Sequence, residues 1–245
     1  MSEINIEKLV DRWEDRRDVK NLMGIFVHYL LLKKESSMVA DLWSSREDIA
    51  YGINGGWYKG REAVEGYFGS FDEHTAAVAA ILKEKFPDKL GELSNEELFG
   101  TGILELKSVS NYVIEVADDG QTAKGCACLF GFDTTVDEYG PVSHWIFGMV
   151  AIDFILEDEQ WKIWHMQYLE DINHPSGFDW GKKEEYPFEE LPEFASIKGW
   201  APPAPNVPVV LREKYSGTRP FAKLIAAPEP YVTFAETFSY GPEEV

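Results

Sequence analysis

Two cysteines, five histidines and no long apolar run set the first limits on this chain of 245 residues. No stretch approaches the roughly 18 apolar residues that a membrane helix needs. The opening Met1-Ser2-Glu3-Ile4-Asn5 has neither the basic nor the apolar region of a secretory signal, so a cytoplasmic protein is expected. Cys126 and Cys128 stand two apart, which puts both side chains on one face of a strand at a spacing that disfavours a disulfide. With no further Cys or His at ligand spacing they are read as small packing residues rather than metal ligands. Positive charge is also scarce. Lys and Arg number 23 against 43 Asp and Glu, a formal net charge of −20. Such a surface repels phosphate backbones and anionic lipid, which argues against nucleic-acid and membrane partners. Part of the excess is local, in residues 183–193 and at Glu243-Glu244.

What the chain does have is ordinary globular content, 44% hydrophobic and 27% charged. One domain of roughly 150–200 residues with an extension fits that length. Ile6, Leu9, Val10 and Trp13 recur at helical spacing and predict a short first helix. The phase breaks at Asp15, which reads as the cap of a second, longer helix with Val19, Leu22, Met23, Phe26, Tyr29, Leu30 and Lys33 on one face. A short helix follows over Val39 to Trp43, then a strand over residues 47–53 and a turn at Asn54-Gly55-Gly56. Gly60 opens another helix. Residues 71–86 continue helical until Pro87 stops them. Residues 70–102 look like an insertion, a lid or a structural contact.

The second half alternates in the manner of strands over residues 103–116, 121–135, 142–156 and 161–171. Asp118-Asp119-Gly120, Asp137 to Pro141 and Glu157 to Gln160 supply the turns. Helices followed by long antiparallel strands predict an α+β fold with the helices on one sheet face. From Ser176 onward the composition changes, with ten of the 13 prolines and many aromatics. An ordered arm is expected there, because disordered tails carry few aromatics.

The order of elements, with Ala40-Asp41-Leu42-Trp43 ending the short helix and Trp57-Tyr58-Lys59-Gly60-Arg61-Glu62-Ala63-Val64 opening the next, resembles the front half of the NTF2-like (SnoaL-like) superfamily. The closing run Trp161-Lys162-Ile163-Trp164-His165 is similar to the last strand of SnoaL-like domains. The resemblance implies a domain over residues 1–175, in which a curved antiparallel sheet wraps helices into a cone. A Pro- and aromatic-rich arm follows over residues 176–245. It also implies a hydrophobic small-molecule ligand in the cone, since the superfamily includes ketosteroid isomerases, scytalone dehydratase and bile-acid dehydratases. A lyase or isomerase working by acid–base chemistry is the expected activity; a non-catalytic binding or oligomeric scaffold protein of the same fold is the alternative. No cofactor and no metal are expected: glycine-rich phosphate loops are missing, and His74 and His174, though near carboxylates, lack a ligand signature. The aromatic arm suggests a homo-oligomer, a dimer or a trimer.

Catalytic candidates are His165, Tyr29 and His144. Period-two alternation groups His165 with Trp161, Ile163 and Gln167 on one face, from which it could serve as general acid or base. Tyr29, on the packed helix face, could donate to a substrate oxygen, and His144 on the neighbouring strand could lie near His165. Tyr51, Tyr58, Lys107, Trp145 and Asp153 are candidates for binding substrate. The dehydratases of the superfamily pair an aspartate late on the long helix with a sheet histidine. Here the helix ends Tyr29-Leu30-Leu31-Leu32-Lys33-Lys34-Glu35 and residues 103–114 hold no histidine, so that dyad is missing, with Lys107 near the histidine's place.

Overall fold

The computed structural model describes residues 6–137, 140–181, 200–220, 225–235 and 238–240. The acidic stretch 183–193, Glu243-Glu244 and residues 138–139 of the expected turn at Asp137 to Pro141 lie outside them. Among the described residues five helices, α1 (Ile6–Leu31), α2 (Glu35–Leu42), α3 (Arg61–Gly69), α4 (Phe71–Lys85) and α5 (Pro87–Leu90), accompany seven strands. These are β1 (Ala50–Ile53), β2 (Gly56–Lys59), β3 (Glu105–Val116), β4 (Thr122–Asp137), β5 (Gly140–Glu157), β6 (Gln160–Pro175) and β7 (Val207–Pro208). The strands form one curved, open sheet in the order β3-β4-β5-β6-β1-β2-β7, with helices on its concave face. This is the α+β arrangement that the order of elements predicts, in the cone shape that the resemblance implies.

The first two expected helices are one. Asp15 does not cap a new helix; it sits inside α1, and its carboxylate accepts a hydrogen bond from Trp161 Nε1 at 3.0 Å. The apolar phase shifts there because the body begins there: Ile6, Leu9, Val10 and Trp13 are exposed, whereas Val19, Leu22, Met23, Phe26 and Leu30 are buried. α1 then runs antiparallel along β3. Arg12 bonds Asp118, Arg16 Nη2 lies 2.7 Å from Glu115, and Lys33 reaches Glu105. The edge strand is thereby covered, which removes a site for unwanted pairing.

One row of paired residues defines the inner face: Ile114, Gly125, Ile152, Met166, Tyr51 and Tyr58. Tyr51 packs on Tyr67 and Phe68 of α3, at ring distances of 5.1 and 4.8 Å, and Phe68 meets Phe26 of α1 at 6.4 Å. Burying such aromatics supplies much of the hydrophobic drive, roughly 1.5–3 kcal/mol for a side chain of this size. The next row defines the outer face: Glu115, Lys124, Asp153, His165, Ala50 and Lys59.

Part of the C-terminal arm lies on that outer face and around the β2 edge. β7 pairs with β2, and the Tyr58 hydroxyl donates to the Pro203 carbonyl at 2.8 Å. Phe238 stacks on Trp57 at 5.1 Å. Earlier along the arm, Trp200 Nε1 donates to the Ser70 carbonyl and its ring lies 4.5 Å from that of His74 on α4.

Candidate functional site

The concave face is apolar along most of its length and charged at one end. There the start of β3, the end of β4, the start of β5 and the end of β6 come together. Register places Glu105 beside Asp133 and His144, and Lys107 beside Gly131, Ile146 and Asn173. Ile146 belongs to the core under the helices, so this face points inward. The charged residues are therefore inside. Leu106, between them, is 45% exposed on the other side, while the Lys107 side chain is only 6% exposed. The usual placement of charge and apolar surface is inverted on this strand.

α1 contributes the second wall. Its last turn closes through Leu32 N to His28 O and Lys33 N to Leu30 O, and Lys33 then takes a left-handed backbone, φ 55°. Helices commonly end on such a residue, but glycine is the usual occupant. Lysine stands here, and its ammonium turns inward, 2.8 Å from Glu105 Oε2 and 4.0 Å from Glu35 Oε1. The other Glu105 oxygen accepts from Lys107, which lies 3.6 Å from Asp133 Oδ2 and 5.3 Å from the centre of the Tyr168 ring. Asn173 Nδ2 donates to Glu170 Oε2 at 2.9 Å, which orients the amide so that its oxygen accepts from His144 Nδ1 at 2.8 Å. Glycine at 131 leaves the space Lys107 needs, since a Cβ there would lie 2.8 Å from the Lys107 Cα.

Burial acts on these groups unequally. It pushes the Glu35 carboxyl up to about 7, helped by the Glu105 charge. It likewise raises Asp133, against the pull of Lys107. For Glu105 burial is outweighed by Lys107 and Lys33, which hold it below the usual carboxylate range. Lys107 is buried too, yet Glu105 keeps its ammonium charged. His74 is held down to about 4 by burial and stays neutral. Burial raises the tyrosine hydroxyls of residues 51, 67 and 168. One wall thus carries two carboxyls that can give or take a proton near neutrality, beside a fixed cation and a tyrosine cluster.

Other expected residues fall elsewhere. The alternation read along β6 fails because two bulges interrupt it: Phe154 pairs with Ile163 but Asp153 with His165, and Phe147 pairs with Ile172 but Gly148 with Glu170. Trp164 and Asp171 are the extra residues, and each reverses the faces beyond it. Ile163 faces the core, as do Met166 and Tyr168, while His165 and Gln167 face outward. His165 does not meet His144 or Tyr29. Its Nδ1 lies 2.9 Å from Asp153 Oδ2, beneath Phe238 at a ring distance of 4.5 Å. The Ser239 N–H donates to the same Asp153 oxygen. Asp153 is thus neither solvent-facing nor in the cone, and the pair fastens the arm. The Tyr29 hydroxyl points away from the core and donates to Asp41 at 2.9 Å. Trp145 lies on the outer face beside Phe132, at 4.7 Å between rings. Tyr51 and Tyr58 do face inward, as part of the tyrosine cluster. Of the candidates, Lys107 and His144 stand in the charged end. Lys33, Glu35, Glu105, Asp133, Glu170 and Asn173 were missed. Lys33 was read only as part of the packed helix face, and the charged residues among the others stand at element ends, which resembles a solvated surface.

A second joint links arm and site. Asn54 holds the Glu170 backbone with two bonds, Nδ2 to its carbonyl at 2.7 Å and its N–H to Oδ1 at 2.8 Å. The neighbouring bulge residue, Asp171, turns outward and accepts from Arg212 of the arm at 2.7 Å.

Comparison with family models and with curated proteins gives no match. Among solved structures, a scytalone dehydratase-like protein from Novosphingobium aromaticivorans is 13% identical, covering 70% of this chain and 93% of its own at a TM-score of 0.49. The hexachlorocyclohexane dehydrochlorinase LinA-type3 from Novosphingobium barchaimii is 15% identical over 69% and 95%, at 0.44. An NTF2-like protein with a cystatin-like fold from Novosphingobium aromaticivorans is 15% identical over 77% and 99%, at 0.43. The chain is similar to these in its course, and its chemistry is argued from its own residues. No helix among the described residues is long and apolar enough to cross a membrane.

Proposed function

We propose that the chain is a lyase or isomerase, cytoplasmic and independent of a cofactor, which moves a proton on a hydrophobic cyclic or aromatic small molecule at the charged end of the cone. The observation that carries this reading is the inversion on β3, where Glu105 and Lys107 are buried and Leu106 is exposed. Buried charge costs stability, and local rules are broken in this way at functional sites. Asp133 and Glu35 are the proton carriers, since burial raises both. Lys107, fixed by Glu105, is placed to favour negative charge developing on a substrate oxygen. Tyr168 supplies a buried hydroxyl and, with Tyr51 and Tyr67, an aromatic wall. His144, oriented through Asn173, sits at the edge of the same cluster.

A screen of cyclic alcohols, ketones and enones tests this. For any substrate found, Asp133→Asn is expected to cut turnover by about 10²-fold or more. Unchanged turnover would remove Asp133 from the reaction. A binding protein without turnover is the second reading. It is favoured by the way Lys33, Glu105 and Lys107 already neutralise one another, and it expects saturable binding that Asp133→Asn leaves unreactive and unaltered. A dimer or trimer belongs to either reading. Phe130, Phe132 and Phe147 are exposed on the outer face beyond the arm and support it; native mass in solution decides.

A further inference from the structure

A cavity lies outside the cone, where the arm crosses the end of β6. Its volume is about 270 Å³. Arg212, Lys214 and Arg219 contribute cations to its lining, and Asp171 and Glu213 contribute carboxylates. Three cations thus meet two carboxylates in a chain of net charge −20, and the pairing of Arg212 with Asp171 and of Arg219 with Glu213 leaves the positive charge of Lys214 in excess. The geometry is partly fixed in advance. Arg212 is 5% exposed and its Nε and Nη2 both lie 2.7 Å from Asp171 Oδ1, which fixes the guanidinium by one edge, while the Tyr215 N–H donates to the Asp171 carbonyl at 2.7 Å. Arg219 is half-exposed, held 3.1 Å from Glu213 and bonded to the Lys214 carbonyl. Val210, Leu211 and Pro220 give the remaining wall an apolar character.

We infer that this cavity binds a small oxyanion, a phosphate or a phosphate monoester, between Arg219, Lys214 and the buried Arg212. Guanidinium forks suit such anions because they offer parallel N–H donors. The site rests on no catalytic residue of the cone. It adjoins the Asp171 bulge, one residue from Glu170, so occupancy also stiffens the joint between arm and sheet.

The test is titration of the full chain with inorganic phosphate and with phenyl phosphate, at constant ionic strength set with chloride, read by calorimetry and melting temperature. Saturable binding with a rise in melting temperature is expected. Arg219→Gln and Lys214→Gln should each weaken it about tenfold, the worth of one charge-assisted bond. Both are exposed enough to leave folding intact, and circular dichroism checks this. Tighter binding of phenyl phosphate supports an ester as occupant, and equal binding supports the free anion. No saturable binding, or binding that both variants leave unchanged, overturns the proposal.

Discussion

Asp153 and His165 face each other across β5 and β6 at 2.9 Å, on the side of the sheet away from the helices. A histidine that sequence pattern places in the cone thus serves, with its carboxylate, as the anchor of the C-terminal arm. Both side chains are almost wholly buried, and the Ser239 N–H completes the anchor.

His165→Ala leaves the Asp153 carboxylate buried without its ring partner. The expected cost is about 3 kcal/mol of stability, in line with broken buried pairs. Residues 225–240 should also become sensitive to limited proteolysis before the rest of the chain. A variant that melts as the parent does, with its arm equally protected, would show that the pair does not hold the arm.

Removing Lys107 probes the inner cluster. Lys107→Met leaves Glu105 with Lys33 as its one remaining cation and is expected to cost about 3 kcal/mol. Adding Glu105→Gln should recover part of that loss, so the double variant is more stable than the sum of single effects implies. Denaturant melts of the four proteins in the cycle measure the coupling.

The pH dependence has opposed parts. The Glu35 pKa is raised in the folded state to about 7 from 4.5, so its contribution is complete below pH 4.5 and is lost as pH rises to about 7. His74 is lowered from 6.5 to about 4, so its contribution is present above pH 6.5 and is lost as pH falls to about 4. The two oppose each other between pH 4.5 and 6.5. Glu35→Gln should therefore make stability fall more steeply on acidification in that window, and His74→Gln should make it fall less. Melting temperatures from pH 4 to 8 distinguish them, and a flat difference for Glu35→Gln would mean that its carboxyl titrates normally.

Gly131 is expected to resist any side chain. A Cβ there would sit 2.3 Å from the Leu106 carbonyl, so Gly131→Ala should cost about 1–3 kcal/mol. Gly24 and Gly66 are helical and meet nothing within 4 Å, so alanine at either should stabilise by about 1 kcal/mol. Thermal melts of the three single variants compare them directly.

Much of the fold was legible because local signals agreed. Asn54-Gly55-Gly56 and Asp118-Asp119-Gly120 mark the two turns between paired strands where they occur, and Pro87 ends α4 as expected. The faces of β6 were not legible, because a bulge adds one residue to one strand and nothing in Trp164 or Asp171 announces it. The long α1 was divided in two because the apolar residues of its first third, Ile6, Leu9, Val10 and Trp13, stay exposed and follow a different phase from the buried face. Lys107 was singled out near the place of the superfamily's histidine and His144 by its strand position, while Glu35 and Asp133 look like the solvated ends of elements until register brings them together.

The measurement that bears most directly on proton transfer in the cone is deuterium incorporation from heavy water into a panel of cyclic ketones, followed by proton NMR. Exchange above the buffer rate is expected with the parent chain, reduced about 10²-fold by Asp133→Asn and left near the parental rate by His165→Gln. Equal exchange with the parent and Asp133→Asn, or loss of exchange on changing His165 alone, would contradict the assignment of the chemistry to the charged end of the concave face.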